Sequence, residues 1–174
     1  MDKIMKVKLK RFHKDAEIPK KAYDKDFCYD VYATSEEEIA PNVWKYGLGW
    51  GMQIERGGEV LIKDVMNMFG SPTWTGYTLD MKRCPLNLSI DLRPRSSVWK
   101  TGMVLSNCEG TIDEGYTNEI SAVFYHVMPT MPRYQVGDRI GQIKIGMTFP
   151  IEFEEVEVLN ETERNLRGYG SSGN

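Results

Sequence analysis

Two short stretches carry residue types that could do chemistry on a charged substrate. "DLRPRSSVWKTG" (91–102) sets Arg95 directly before Ser96 and Ser97, with a proline upstream. A guanidinium with adjacent hydroxyls and turn N–H groups suits phosphate oxygens. A basic loop entering a turn has the same composition, and the stretch lacks the spacing of a P-loop. "NCEGTIDEGYTNEI" (107–120) puts an amide (Asn107), a glycine (Gly110), an acid (Asp113) and an aromatic (Tyr116) within ten residues. On a β-hairpin this set could read a base edge with Asn107 and backbone groups, stack a sugar on Tyr116 and aim the Asp113 carboxylate at a water. Asp-Glu-Gly is equally good turn chemistry, and within its own stretch Asp113 reads as a turn aspartate. Ile112, Tyr116 and Ile120 are the residues of this stretch expected to be buried.

The elements that must position these residues read as strands. "KIMKVKLKRF" alternates Met5, Val7 and Leu9 with Lys6, Lys8 and Lys10, a half-buried strand with a solvated lysine face. "EISAVFYHVM" reads as a buried strand, and "IEFEEVEVLN" as a strand with an acidic face. "DRIGQIKIGM" alternates Ile140, Ile143 and Ile145 with polar neighbours, given one irregularity near Gly141. "VLIKDVMNMF" (60–69) fits a short helix or a strand equally well. Turn signals stand at 40–42, 56–58, 70–72, 113–115 and 136–138. Many short strands with frequent turns predict an all-β sandwich or jelly roll. The glycine- and serine-rich "RNLRGYGSSGN" at the end has the composition of a flexible tail, with two arginines and a tyrosine added.

Bulk properties narrow the function classes. The chain has 174 residues, enough for one core without disulfides. Its net charge of −3 argues against sequence-independent nucleic-acid binding but not against a small anion gripped by a few arginines and a metal ion. Cys28, Cys84 and Cys108 form no CxxC pair, so neither zinc nor a disulfide framework is indicated. His13 and His126 are the two histidines, too few for a histidine-rich metal site. No apolar run approaches the roughly 20 residues of a membrane span. The first residues lack the apolar block of a signal peptide. The expectation is a cytoplasmic protein that binds neither membrane nor nucleic acid.

Five ordered blocks then add up. They are "CYDVYAT" (28–34), "PRSSVWKTG" (94–102), "NCEGTIDEGYTNEI" (107–120), "GDRIGQIKI" (137–145) and "TERNLRGYGSSG" (162–173). Together they resemble the motifs of the trimeric dUTP diphosphatases (dUTPases). The resemblance implies a distorted jelly-roll β-barrel over residues 1–160, with an insertion near 56–86 and a flexible C-terminal arm over 161–174. It implies hydrolysis of dUTP to dUMP and pyrophosphate, which limits uracil incorporation into DNA and supplies dUMP for dTTP synthesis. Asp113 would be the general base. Asn107 and the backbone of Gly110, Thr111 and Ile112 would read uracil, and Tyr116 would pack under the deoxyribose. Arg95, Ser96, Ser97 and Gln142 would hold phosphates, and Asp30 would organise Mg²⁺ through water. From the arm, Arg164 would grip the distal phosphate, Tyr169 would close over the uracil, and Ser171 and Ser172 would add phosphate contacts. The family resemblance also implies a homotrimer with shared active sites.

The chain departs from the family pattern in places. Cys28, Asn118, Asn165 and Arg167 stand at positions usually held by glycine, and Tyr169 replaces a phenylalanine. Asp30 and Arg95 lie 65 positions apart, and the stretch 56–86 has no counterpart in the motifs. It reads as an elaborated surface loop or hairpin. The sharper alternative is a trimer cap or a protein-binding element, for which Met66, Met68, Trp74 and Tyr77 are suited. Two rival functions follow. A dCTP deaminase on the same fold would need a glutamate where Val123 stands. A nucleotide-switched binding module would use the insertion to hold a protein.

Overall fold

Pro41 and Asn42 make a two-residue turn where the sequence signals one at 40–42. Asn42 adopts φ 60°, a left-handed conformation that asparagine tolerates, and its turn joins β3 (Ser35–Ala40) to β4 (Val43–Gly47). The computed structural model describes residues 6–55, 59–62, 77–80, 87–148 and 150–160. The other strands are β1 (Lys6–Arg11), β2 (Tyr29–Tyr32), β5 (Trp50–Glu55), β6 (Glu59–Ile62), β7 (Tyr77–Asp80) and β8 (Asn87–Pro94). After them come β9 (Met103–Leu105), β10 (Gly110–Asp113), β11 (Ser121–His126) and β12 (Arg139–Thr148). One short 3-10 helix, Ser96–Lys100, follows β8.

Two four-stranded antiparallel sheets form the body, in the orders β10-β8-β12-β2 and β3-β4-β11-β9. β1 pairs with β5, and β6 with β7, as two further ribbons. The architecture is all-β and jelly-roll-like, as the turn spacing predicts. The core draws on both large sheets: Val31, Tyr46, Leu48, Trp50, Phe124 and Ile140 are almost wholly buried. Full burial of such side chains stabilises by about 1.5–3 kcal/mol each. The rings of Tyr46, Phe124 and Tyr134 meet edge to face at 5.4–6.3 Å, and the Tyr46 hydroxyl donates to the Tyr134 carbonyl at 2.9 Å.

Local expectations map closely onto this frame. Val7 and Leu9 of β1 pack on the core while its lysines are exposed. The irregularity near Gly141 is a register shift between Arg139 and Gly141 where β12 meets β2. β11 is one-sided rather than buried throughout: Ala122 and Phe124 face the core, and Tyr125 is half exposed. Residues 150–160 form no strand, and Ile151, Phe153, Val158 and Leu159 are largely exposed. Alternation gives a segment two faces, but a strand also needs a neighbouring edge to bond with, and among the described residues none pairs with this one.

Of 60–69, residues 60–62 are strand, in the hairpin of β6 and β7. The rest of the 56–86 stretch lies outside the described residues, as do the side chains of Met66, Met68, Trp74 and Tyr77. Met5, Cys84, the turn signals at 56–58 and 70–72, and residues 161–174 also lie outside.

The turn after β10 is clamped to the core. Leu48 N–H donates to Ile120 O, and Ile120 N–H to Trp50 O, at 2.9 and 3.0 Å. Glu119 Oε1 accepts from Gly49 N–H at 2.9 Å. A Cβ on Gly51 would overlap the Asn118 carbonyl, so only glycine lets β5 come this close. Gly51→Ala is expected to cost about 1–3 kcal/mol, read as a lower urea midpoint at unchanged slope.

Candidate active site

One group of predicted residues converges at the end of β2. Asp30 sits on β2 opposite Gln142 of β12, with its side chain only 13% exposed. Arg139 Nη1 donates to Asp30 Oδ2 at 2.8 Å, and Arg95 Nε lies 3.4 Å from Oδ1. The hydrogen bond to Asp30 raises the pKa of Arg139 above its ordinary value, so it stays charged. Pro94 closes β8, and Arg95 continues in extended backbone (φ −80°, ψ 156°) before the 3-10 helix begins. Arg95 Nη1 donates to Ser97 Oγ at 3.3 Å, and Gln142 Nε2 to Pro94 O at 3.2 Å. Asp30, Arg95, Arg139 and Gln142 line an open cleft of about 330 Å³ with Ser96, Tyr23, Phe27 and Cys28, and Ser97 is not part of its lining. Two fixed guanidiniums with hydroxyl and amide donors make an anion site suited to phosphate oxygens.

A second group sits on the β10 hairpin. β10 runs antiparallel to β8, with Gly110 opposite Leu92 and Asp113 opposite Ser89. Cys108 takes φ 56° at the tip of the preceding turn. Asn107 Nδ2 lies 3.3 Å from where a Gly110 Cβ would stand, so the amide covers that glycine. An ion pair between Arg93 and Glu109 ties the same turn back to β8. Asp113 ends β10 with its side chain exposed, and its carbonyl accepts from Tyr116 N–H at 2.9 Å. Of the residues expected to be buried here, Ile120 is and Ile112 is partly so, while Tyr116 is 44% exposed. Its hydroxyl donates to Glu119 O at 2.9 Å, which fixes the ring as an open platform instead of core filler.

The two groups do not meet within one chain. β10 and β2 are the opposite edges of one sheet, three strand spacings apart. Asp113 is level with Gly146 of β12 through Ser89, whereas Asp30 is level with Gln142, four residues away along the strand. At about 4.8 Å per strand and 3.4 Å per residue, the backbone positions of Asp113 and Asp30 lie about 20 Å apart along the sheet. Arg164, Tyr169, Ser171 and Ser172 lie outside the described residues.

The sequence reading gave no role to Arg139, Tyr23 or Phe27. Arg139 stands within the "GDRIGQIKI" block, so the signal was on the page. Tyr23 and Phe27 belong to a turn that no motif marks, held by Tyr23 N–H donating to Asp26 Oδ2 at 2.9 Å.

Magnesium can be tested against these groups. Among the described residues no three His, Cys, Asp or Glu side chains cluster as a metal cage. Both Asp30 oxygens already face arginines, leaving lone pairs that suit a hydrated ion better than direct ligation. Mg²⁺ retains several waters and is commonly held by one carboxylate plus substrate phosphates. The residues present fit that mode.

Comparison with known proteins bears on the same stretches. A dUTPase family model matches residues 72–173. The deoxyuridine 5'-triphosphate nucleotidohydrolase of Corynebacterium glutamicum is 30% identical over 175 residues, covering 99% of this chain and 98% of the relative. That of Clostridium tetani is 29% identical over 168 residues, covering 96% of each. Among solved structures, a mutant dUTPase of Staphylococcus bacteriophage 80alpha with dUpNHpp matches at a TM-score of 0.69. It is 19% identical, over 97% of this chain and 98% of that one. A mutant dUTPase of the S. aureus phage phi11, described with a coordinated structural Mg(II) ion, matches at a TM-score of 0.60 and 15% identity. That match covers 90% of this chain and 99% of the other.

Proposed function

The chain belongs to the dUTPase family, and on that premise we infer that it hydrolyses dUTP to dUMP and pyrophosphate. The observation that carries the reading to the site is the cleft joining Asp30 of β2, Gln142 of β12, Ser96 of the 3-10 helix and Arg95 at the cap of that helix. Triphosphate hydrolysis needs charge neutralised, water placed in line and a base. Arg95 and Arg139, with the serine hydroxyls and Gln142, bind the phosphate chain. Asn107 and the backbone of Gly110–Ile112 hold the uracil edge. Tyr116 lies under the deoxyribose and leaves no room for a 2′-hydroxyl. Asp113, between those two subsites, takes the proton of the attacking water. Asp30 would hold Mg²⁺ through the waters of its hydration shell, and the ion would supply charge neutralisation for the phosphate chain.

The separation of about 20 Å implies that a complete site combines Asp113 of one copy with the phosphate cleft of another. A homotrimer with three such shared sites fits this need. The arm residues Arg164, Tyr169, Ser171 and Ser172 then close over the bound nucleotide and exclude water. Among the described residues no helix is long and apolar enough to cross a membrane, and a cytoplasmic location suits a nucleotide substrate.

The test is product analysis with dUTP, dCTP, dTTP and UTP plus Mg²⁺. dUTP should yield dUMP and pyrophosphate, with UTP used at least about 100-fold less efficiently. Absence of pyrophosphate from dUTP overturns the reading. Formation of dUTP from dCTP would instead favour deamination, for which apolar Val123, paired with Lys45 in the middle of β11, offers no acid.

A further inference from the structure

Ser89 of β8 lies directly across from Asp113 of β10. Residues opposite each other in an antiparallel pair project to the same face, with Cβ atoms about 4.5–5.5 Å apart. Two residues along that face, β8 carries Asp91, opposite Lys144 of β12 on one side and Thr111 of β10 on the other. Lys144 Nζ donates to Asp91 Oδ2, and Ser89 Oγ lies 2.8 Å from Asp91 Oδ1. Asp91 is 7% exposed, the one charged residue that is fully buried among those described. Gly146 makes the space: a Cβ there would lie 2.5 Å from Ser89 Oγ and 2.6 Å from Asp91 Oδ2.

A buried ion pair is a poor stabiliser beside an apolar isostere, so its presence next to Asp113 asks for another reason. The direction of the protons supplies one. Burial works against ionisation of Asp91, but the bonds from Lys144 and Ser89 prevail and hold its pKa below the usual 3.8. A carboxylate only accepts, so the single proton of Ser89 is committed to Asp91. The Ser89 oxygen therefore turns only lone pairs toward Asp113, and Asp113 acting as a base also offers only lone pairs. Two acceptors facing each other across one rung suit a water that donates one proton to each. Such a water has its own lone pair directed away from both.

We propose that Ser89 is a second catalytic residue, accepting a hydrogen bond from the attacking water that Asp113 deprotonates. Asp91 and Lys144 are positioning residues that keep the Ser89 hydroxyl in its accepting orientation. The inference rests on the dUTPase reading and deepens it. In the step itself, the water oxygen bonds to the α-phosphorus, and the bond from that phosphorus to the bridging oxygen breaks. Its electron pair leaves with pyrophosphate. One water proton passes to Asp113, and the proton facing Ser89 stays on the new phosphate oxygen.

The test uses the full chain with dUTP and Mg²⁺. Ser89→Ala should lower kcat by about 10–100-fold through loss of water orientation, with KM within about twofold and a thermal midpoint that, though lowered by the lost bond to Asp91, stays well above the assay temperature. Ser89→Thr restores the hydroxyl on a side chain suited to a strand and should keep kcat within about threefold of the parent. Asp91→Asn gives an independent check. Lys144 only donates, so the amide oxygen faces it and the NH₂ faces Ser89. The serine proton is then turned toward Asp113, and kcat should fall about tenfold or more at constant KM.

A Ser89→Ala enzyme with kcat within about twofold of the parent overturns the proposal, as does a loss that Thr does not restore or that appears mainly in KM. Turnover surviving in Asp113→Asn would bring down the base assignment and this inference with it. An inactive Asp113→Asn beside a fully active Ser89→Ala brings down only the role of Ser89.

Discussion

Asp113→Asn is expected to lower kcat for dUTP by about 10²–10⁴-fold, the usual contribution of a positioned general base. Binding of a non-hydrolysable dUTP analogue should change by about twofold or less. The amide has the shape of the carboxylate but cannot take a proton from water. Asp113 stands exposed at the end of β10, and its carbonyl, not its carboxylate, makes the turn bond to Tyr116. The substitution therefore leaves the hairpin intact, and the uracil-reading turn at Asn107 with it. Calorimetric titration paired with single-turnover kinetics separates the two effects. Undiminished single-turnover rates would mean that another group activates the water.

The second large effect is a gain. Asp113→Asn and Arg95→Ala should each be nearly inactive alone, the first for want of a base and the second for want of its phosphate grip. Unfolded together and refolded as a one-to-one mixture, they should recover activity. The reason is the separation of about 20 Å between Asp113 and the cleft of Asp30 and Arg95, which lie on opposite edges of one sheet. If each site takes its base from one copy and its cleft from another, random assembly pairs two intact halves in about a quarter of the sites. Mixed samples should reach roughly that fraction of parent turnover. Each variant refolded by itself is the control. No recovery in the mixture, with trimers confirmed by light scattering, would place the whole site within one chain.

Much of this was legible in the residues. The turn after β3 needs a residue that accepts positive φ, and Asn42 supplies it. Alternation located β1 and the Ile-rich β12, and glycine marked the register shift beside Arg139. These are local properties, set by backbone sterics and by which face of a strand is apolar. The same logic failed for 150–160, where alternation is present but no edge among the described residues receives it. It also failed for Tyr116, whose aromatic ring reads as core until the bond to Glu119 O shows it standing open.

The sequence by itself determined the fold class, the family, and which side chains are chemically able to hold phosphate, read a base and take a proton. Five short blocks carry that information, and each of the four that lie among the described residues sets a turn or a strand together with its functional group. Only the tertiary structure decided which of these groups meet. Asp30 finds Arg139 and Gln142 because β2 pairs with β12 in one register, and Asp91 finds Lys144 and Ser89 because β12 pairs with β8 in another. Strand order and register are outcomes of packing two apolar faces together. That packing is sensitive to the total of buried surface and only weakly to any single polar residue. The pairing of Ser89 with Asp113 across one rung, and the distance of both from the phosphate cleft, are therefore written in the sheet and not in any one of its strands.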